Sequence, residues 1–200
     1  MLDDELTAAL ADNLDDTFER LVRAYQSRLY GFALRQTGGN PQDAEEVAQD
    51  AFVRAYRALQ SYPPDRVRDL AMRPWLYQIT LNVARNRHRR QQLAVVPLDG
   101  DGEPQEPAAA ETERPEVVTG RFEQSAELEA LVAGLPGRYR TAVVLRHVEG
   151  LSYGEAAQVL GQPVGTVKAN VHRGVRLLRD ALADAECTGD VIAGTPKRRN

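Results

Sequence analysis

The spacing of apolar residues along the chain predicts helices. From about residue 16 to residue 36, apolar side chains recur every three or four positions and so share one helix face. Asp16 and Glu19 are predicted to cap the start of this helix, and the pair Gly38 and Gly39 is predicted to end it. The face consists of Phe18, Leu21, Val22, Tyr25, Leu29, Phe32 and Ala33.

A second helix is predicted from Asn40 to about Leu59, since asparagine suits the N-cap and Pro41 suits the first helical position. Residues 61–73 contain two consecutive prolines and are predicted to form a loop. A third helix should cover about 74–91. Its first half has an apolar face, whereas its end, ARNRHRRQQ, is basic and polar.

The composition changes after the third helix. Residues 92–121 contain four prolines, many acidic residues and no helical stripe, so they are predicted to be a flexible acidic linker. Strand patterns are nearly absent throughout. We therefore expect an all-α fold of two small helical domains, 16–91 and 122–185, with helices at 122–133, 136–148, 153–160 and 164–183. An acidic segment, 1–15, and a tail, 186–200, flank them.

The second domain contains a predicted helix-turn-helix. Ser152 and Glu155 have the spacing of a capping box, Gly161 ends that short helix, and Pro163 allows another to start at once. In the last helix, apolar positions such as Val167 occupy one face and basic positions such as Lys168 the adjacent face. Such a helix fits the major groove of duplex DNA, although a solvated surface helix is the simpler alternative.

The net charge of −4 conceals a strong segregation of charge. Residues 66–92 carry +6, residues 93–135 carry −8, and residues 136–200 carry +4. Two basic regions separated by an acidic one indicate two surfaces that face polyanions, unless the charges only solvate helix faces. In the third helix, Trp75 and Tyr77 precede the basic end. Aromatic and basic side chains together suit unstacked bases, but the spacing of Trp75 also suits a core position.

Several classes of function lack their sequence signature. The single cysteine, Cys187, excludes a disulfide framework, and no apolar run is long enough for a membrane span. The acidic N-terminus lacks the pattern of a signal peptide, so we expect a cytoplasmic protein. Phosphate-binding loops and dinucleotide glycine patterns are missing, and the three histidines have no ligand-like spacing. We therefore expect no enzymatic activity, no cofactor and no metal.

Four stretches, in this order, resemble the extracytoplasmic-function (ECF) sigma factors of bacterial RNA polymerase. They are FERLVRAYQSRLYGFALRQTGG, DAEEVAQDAFVRAYRAL, RPWLYQITLNVARNRHRR and LSYGEAAQVLGQPVGTVKANVHRGVRLLR. Any one of them is moderate evidence, because many regulators share helix-turn-helix segments, but the four together are specific. The alternative is a stand-alone helix-turn-helix regulator, which would not need the DAEEVAQDAF stretch or the basic third helix.

The resemblance implies a role for each domain. Residues 16–91 would be sigma domain two, whose second helix binds the clamp of the largest subunit of core RNA polymerase through Asp43, Glu46, Gln49, Asp50 and Phe52. The 61–73 loop and the third helix would recognise and open the −10 promoter element, with contacts from Trp75, Asn82, Arg85, Asn86, Arg87 and Arg90. Residues 122–185 would be sigma domain four, which touches the polymerase flap and reads the −35 element through Thr166, Lys168, Asn170, His172, Arg173 and Arg176.

The resemblance also implies partners and raises one question of specificity. The partners would be core RNA polymerase, promoter DNA and an anti-sigma factor, with the acidic linker in the RNA path of the polymerase. Promoter elements about 25 base pairs apart are separated by roughly 85 Å, which the linker spans only when well extended. Asn170 stands where the family often has arginine, and asparagine favours adenine over guanine edges.

Overall fold

The computed structural model describes residues 2–95 and 128–192, with side chains for residues 4–92 and 128–183. All the regular secondary structure in these residues is helical, so the prediction of an all-α fold is confirmed. The elements are α1 (Leu2–Asp12), α2 (Leu14–Gln36), α3 (Pro41–Ser61), α4 (Pro64–Arg68), α5 (Met72–Val95), α6 (128–133), α7 (Gly137–Val143) with a π-helical continuation (Val144–Val148), α8 (Tyr153–Leu160) and α9 (Val164–Ile192).

Helix α1 lies within residues 1–15, which were predicted only to be an acidic segment. Its Leu6 and Leu10 are buried, and α1 packs against α2 and α4. A signal for this helix is present, because leucines recur every four residues at 2, 6, 10 and 14, but the prediction rested on the acidic residues alone. The cap of α2 also differs from the prediction: the N-cap is Asn13, whose side chain accepts a hydrogen bond from the backbone N–H of Asp16. The predicted pairing of Asp16 with Glu19 is therefore wrong.

Helices α2, α3 and α5 pack together as the body of the first domain. Helix α3 begins as predicted, with the side chain of Asn40 accepting from the N–H of Asp43 at 3.1 Å and with Pro41 in the first turn. Its inward face is lined by small residues, which let the neighbouring helices approach closely: Ala44, Ala51 and Ala55 are fully buried.

Several boundaries differ from the prediction. The predicted loop at 61–73 contains the short helix α4, which starts at Pro64 and anchors itself through buried Val67. Helix α5 starts at Met72 and ends at Val95, so it includes the first four residues of the predicted linker. The rest of that linker lies outside the described residues, as do 122–127 and 193–200. Helix α9 extends to Ile192, into the predicted tail.

The second domain is built from α6 to α9. The capping box of α8 is confirmed, because the side chain of Ser152 accepts from the N–H of Glu155 and the Glu155 carboxylate accepts from the N–H of Ser152. Gly161 ends α8 in the left-handed conformation, at φ 63°, which an L side chain rarely adopts. Val167 and Val171 of α9 are buried, so α9 packs against the domain through its apolar face. The predicted helix-turn-helix is therefore present.

The two domains contact each other through α5 and α8. The hydroxyl of buried Tyr77 donates to the carboxylate of Glu149, and Arg73 donates to the backbone carbonyl of the same residue. Gln78 donates to the carbonyl of Gln158 at 3.3 Å. The main apolar core contains residues of both domains, so this contact is continuous with the packed interior. The sequence patterns did not predict it.

Candidate nucleic-acid interface

Helix α9 presents the basic face that the sequence predicts. Val167 and Val171 are buried, whereas Thr166, Lys168 and His172 beside them are exposed. The segregation follows from the helical period, since residues three and four apart share a face. Of the residues predicted to read the −35 element, Asn170 is half-buried and the others are solvent-exposed: Thr166, Lys168, His172, Arg173 and Arg176.

Two neighbouring contacts orient side chains of this face. The amide of Asn170 donates to the side-chain oxygen of Gln162 in the turn before α9, at 3.4 Å. The ammonium of Lys168 lies 5.6 Å from the ring centroid of Tyr153, and the guanidinium of Arg146 lies 4.9 Å from the same ring. Both distances suit cation–π attraction. Tyr153 therefore links the first helix of the motif to the basic face of the second.

Helix α5 carries a second polar and basic surface, in the first domain. Among the residues predicted to contact the −10 element, Asn82, Arg85 and Arg90 are exposed, whereas Asn86, Arg87 and Trp75 are half-buried. Asn86 accepts a hydrogen bond from Arg89 at 3.4 Å. Trp75 packs against the apolar core, as its helical spacing suggests, and keeps part of its surface exposed.

A cluster of aromatic and cationic groups lies where α3, α4 and α5 meet, and the sequence interpretation missed most of it. The guanidinium of Arg66 lies 3.8 Å from the ring centroid of Tyr62, and that ring lies 6.3 Å from Trp75 at a tilt of 55°. Such a platform suits the faces of unstacked bases. The available signal was the aromatic residue directly before the two prolines, in the segment predicted as a loop.

The residues predicted to bind polymerase lie along α3. Gln49 and Asp50 are exposed, and Gln49 donates to Glu45 within the helix at 3.1 Å. Phe52 is half-buried and packs against the core. Glu46 is exposed, whereas the Asp43 side chain is only 18% exposed.

Asp43 and Glu46 are ion-paired with Arg87 of α5. Both Nε and Nη2 of Arg87 donate to Oδ1 of Asp43, at 2.9 and 2.6 Å, and Nη1 donates to Glu46 at 2.5 Å. The hydrogen bond to Asp43 is the main cause that raises the pKa of Arg87 above its ordinary value. A cavity of about 310 Å³ lies between α3 and α5 beside these groups, and residues predicted for polymerase (Glu46, Asp50) and for −10 DNA (Asn86, Arg87, Arg90) line it together.

Two features are absent from the part of the chain that the structure describes. Among the side chains that the structure describes, those of residues 4–92 and 128–183, no three or more acidic, histidine or cysteine groups lie together so that they could hold a metal ion. No helix in this part of the chain combines the length and the hydropathy that crossing a bilayer requires.

Comparison with known proteins identifies the class to which this fold belongs. Residues 21–94 match the family described as Sigma-70 region 2, and residues 125–178 match Sigma-70, region 4. The chain is 37% identical over 170 residues to the ECF RNA polymerase sigma factor SigE of Mycolicibacterium smegmatis, covering 84% of this chain and 62% of that longer protein. It is 33% identical over 175 residues to SigW of Bacillus subtilis, covering 84% of this chain and 90% of SigW.

A solved structure has the same arrangement of helices. The chain of CnrH, determined in complex with the cytosolic domain of CnrY, superposes with a TM-score of 0.64 at 29% identity, and the match covers 92% of this chain and 99% of CnrH. The fold is that of a two-domain sigma factor of the sigma-70 type. The chain belongs to the ECF sigma factor family. It is therefore a promoter-recognising sigma factor and not a stand-alone regulator, in a family of transcription initiation factors that are not themselves catalytic.

Proposed function

We propose that this chain binds core RNA polymerase in the cytoplasm, directs it to −35 and −10 elements and promotes promoter melting, without bond-making chemistry of its own. The supporting observation is that each domain exposes its own cationic helix face, on α5 and on α9, while α3 exposes acids beside the first of them. One chain thus offers two nucleic-acid surfaces and one polar protein surface. A regulator that binds a single operator needs only one of these.

We assign the −35 contacts to α9. Its exposed lysine and arginines fit phosphates and guanine edges, and the half-buried Asn170 fits an adenine edge. The hydrogen bond from Asn170 to Gln162 restricts the rotamer of its amide. Base readout then comes from a side chain that is oriented before DNA arrives.

The −10 contacts are assigned to α5 and to the cluster of Arg66, Tyr62 and Trp75. Melting a base step costs about 1.4 kcal/mol, and stacking an unpaired base on an aromatic ring returns about 1–3 kcal/mol. The exposed Asn82 and Arg85 lie further along α5 and would contact the backbone of the separated strand. The domain would thus bind the open form of the promoter better than the closed form, which is how binding energy drives melting.

Promoter binding then requires the two domains to separate. Gln78 of α5 lies 3.3 Å from the carbonyl of Gln158 in α8, so the two DNA-reading domains touch. The two promoter elements are roughly 85 Å apart along B-form DNA. We infer that the contact between α5 and α8 belongs to the unbound chain and is broken on the promoter.

An anti-sigma factor is the further partner that we propose. The support is the likeness to CnrH, whose structure was determined with the cytosolic domain of CnrY bound. Closed domains offer such a partner a composite surface that the separated domains lack.

Run-off transcription tests the function directly. Purified core polymerase, with and without this chain, is given a library of genomic fragments, and the 5′ ends of the transcripts are sequenced. We expect a set of start sites that appears only with the chain present and that shares two upstream elements. Transcripts with the same start sites in both reactions would contradict the proposal.

A further inference from the structure

Arg87 bridges two surfaces that the proposed function assigns to different partners. Asp43 and Glu46 lie on the face of α3 assigned to polymerase, whereas Arg87 lies on the face of α5 assigned to −10 DNA. The guanidinium donates three hydrogen bonds to these two carboxylates, and the Arg87 side chain is only 32% exposed. In the unbound chain, the guanidinium of Arg87 and the carboxylates of Asp43 and Glu46 are therefore bound to each other.

This pairing conflicts with direct use of either group by a partner. A carboxylate whose Oδ1 already accepts two hydrogen bonds at 2.6 and 2.9 Å has little capacity left on that oxygen. A guanidinium held between two acids presents little net positive charge to a phosphate. Charge-assisted hydrogen bonds of this kind are roughly twice as strong as neutral ones. An incoming partner therefore has to break the bonds between Arg87 and the two carboxylates and form bonds of its own in their place.

We propose that Arg87 is an internal counter-ion that core polymerase displaces, and that its displacement makes it available to −10 DNA. This inference rests on the proposed function and adds the chemistry of the polymerase surface. That surface has to present guanidinium or ammonium groups to Asp43 and Glu46, because a cation replaces the charge that Arg87 gives them, whereas the other donor to Asp43, the amide of Gln91 at 3.4 Å, is neutral. Arg87 then turns towards the −10 DNA strand. It joins Arg85 and Arg90 of the same helix, which are already exposed in the unbound chain.

The exchange predicts effects of opposite sign on the two partners. Removing the internal competitor should strengthen polymerase binding, whereas removing a carboxylate should weaken polymerase binding and free Arg87 for DNA in the unbound chain. A residue that only fastens α3 to α5 behaves differently, because its loss weakens polymerase and DNA binding together, in proportion to the loss of stability.

The test uses the full chain and four variants: Arg87→Gln, Arg87→Lys, Glu46→Gln and, as matched control, Arg89→Gln. Arg89 is an exposed arginine of the same helix that bonds to Asn86 and not to α3. Affinity for core polymerase, affinity for a single-stranded −10 oligonucleotide with and without core, and the thermal midpoint are measured for each. We expect Arg87→Gln to bind core about threefold to fivefold tighter, the effect of an ion pair near the protein surface, and Arg89→Gln to change by less than twofold.

The DNA measurements complete the test. Arg87→Gln should weaken oligonucleotide binding by the complex with core more than binding by the unbound chain, and Glu46→Gln should strengthen binding by the unbound chain. Arg87→Lys should fall between Arg87→Gln and the natural chain, because lysine keeps the charge without the planar fork. Core binding by Arg87→Gln that is equal to or weaker than that of the natural chain would overturn the exchange alone. A natural chain that does not bind core at all would instead overturn the proposed function.

Discussion

The hydroxyl of Tyr77 in the first domain donates a hydrogen bond to the carboxylate of Glu149 in the second. Burial, and then the bond to Glu149, raise the pKa of Tyr77 well above that of a free tyrosine, so the hydroxyl remains a donor at every pH at which proteins normally fold. The ring packs edge-on against Phe32, with centroids 5.1 Å apart. One residue thus joins the core of its own domain to the loop before α8.

Tyr77→Phe should loosen the contact between domains while leaving each domain folded. The substitution keeps the ring and its packing but leaves the Glu149 carboxylate without this donor, which costs about 1–3 kcal/mol. We expect a larger radius of gyration by small-angle X-ray scattering, with the helix content by circular dichroism unchanged. Tyr56→Phe is the control, because its hydroxyl donates to Asp15 within the first domain at 2.6 Å. If both variants keep the radius of the natural chain, Tyr77 does not hold the domains together.

Gly174→Ala should destabilise the second domain although alanine is the better helix former. A Cβ at this position would lie 2.5 Å from Cγ2 of Val143 and 3.3 Å from Cβ of Tyr139. Overpacking of this kind costs about 1–3 kcal/mol, against a propensity gain of about 1 kcal/mol. We expect a lower denaturant midpoint.

Gly165→Ala supplies the matched control for Gly174→Ala. It lies in the same helix, and a Cβ there would meet no atom within 4 Å. It should be neutral or slightly stabilising. Equal midpoints for the two variants would mean that α7 and α9 can move apart at no cost.

The helices were largely predictable from the sequence because their signals are local. Asn40 and Pro41 mark the start of α3, and Ser152, Glu155 and Gly161 mark both ends of α8 through the hydrogen bonds and backbone angles that each residue type favours. The basic face of α9 follows from its period alone. The resemblance to sigma factors added the roles that neither period nor charge could supply.

The contacts between elements were not predictable in the same way. The bond between Tyr77 and Glu149 joins residues 72 positions apart, and the pairing of Arg87 with Asp43 spans 44 positions. No periodic pattern encodes contacts between residues so far apart in the sequence. The prediction therefore assigns Arg87 and Asp43 to different partners and does not include the ion pair between them. Helix α1 differs, because its leucines at 2, 6 and 10 do follow a local helical spacing, which the acidic residues between them obscured.

The capping box of α8 should contribute a specific part of the acid sensitivity of the second domain. Burial raises the pKa of Glu155, but the hydrogen bonds from the backbone and hydroxyl of Ser152 and the charge of Arg73 outweigh it, so the net pKa is lowered. A lowered pKa in the folded state stabilises the fold above the ordinary glutamate value of about 4.3, and this stability is lost as the pH falls below it.

Glu155→Gln should therefore flatten the acid limb of the stability curve. Glutamine keeps a capping oxygen but does not titrate, so the free energy of unfolding should fall less between about pH 4.3 and more acidic values than in the natural chain. Ser152→Ala, which removes the N-cap, should cost about 1 kcal/mol at neutral pH. Urea titrations at several pH values measure both effects. If the free energy of unfolding falls equally with acid in the natural chain and in Glu155→Gln, the capping box does not contribute to the pH dependence of stability.

Lys168→Gln and Arg176→Gln should weaken duplex −35 binding and reduce its salt dependence. Each exposed cation that contacts a phosphate contributes a slope of about 0.9 in the logarithm of affinity against the logarithm of salt concentration. We expect each variant to reduce the slope by about one. Arg138→Gln, an exposed arginine of α7, is the control and should leave the slope unchanged. Retained affinity with an unchanged slope in the α9 variants would exclude α9 from the groove.

Asn170→Arg should change which base is preferred at one position of the −35 element. Asparagine pairs with the N6 and N7 edge of adenine, whereas arginine pairs with O6 and N7 of guanine, and each such pair discriminates by about 1–3 kcal/mol. The bond from Asn170 to Gln162 fixes the amide of the natural chain, so Gln162→Ala should lower the adenine preference without creating a guanine preference. Selection from a randomised duplex library measures both variants. An unchanged adenine preference in Asn170→Arg would show that Asn170 does not read a base.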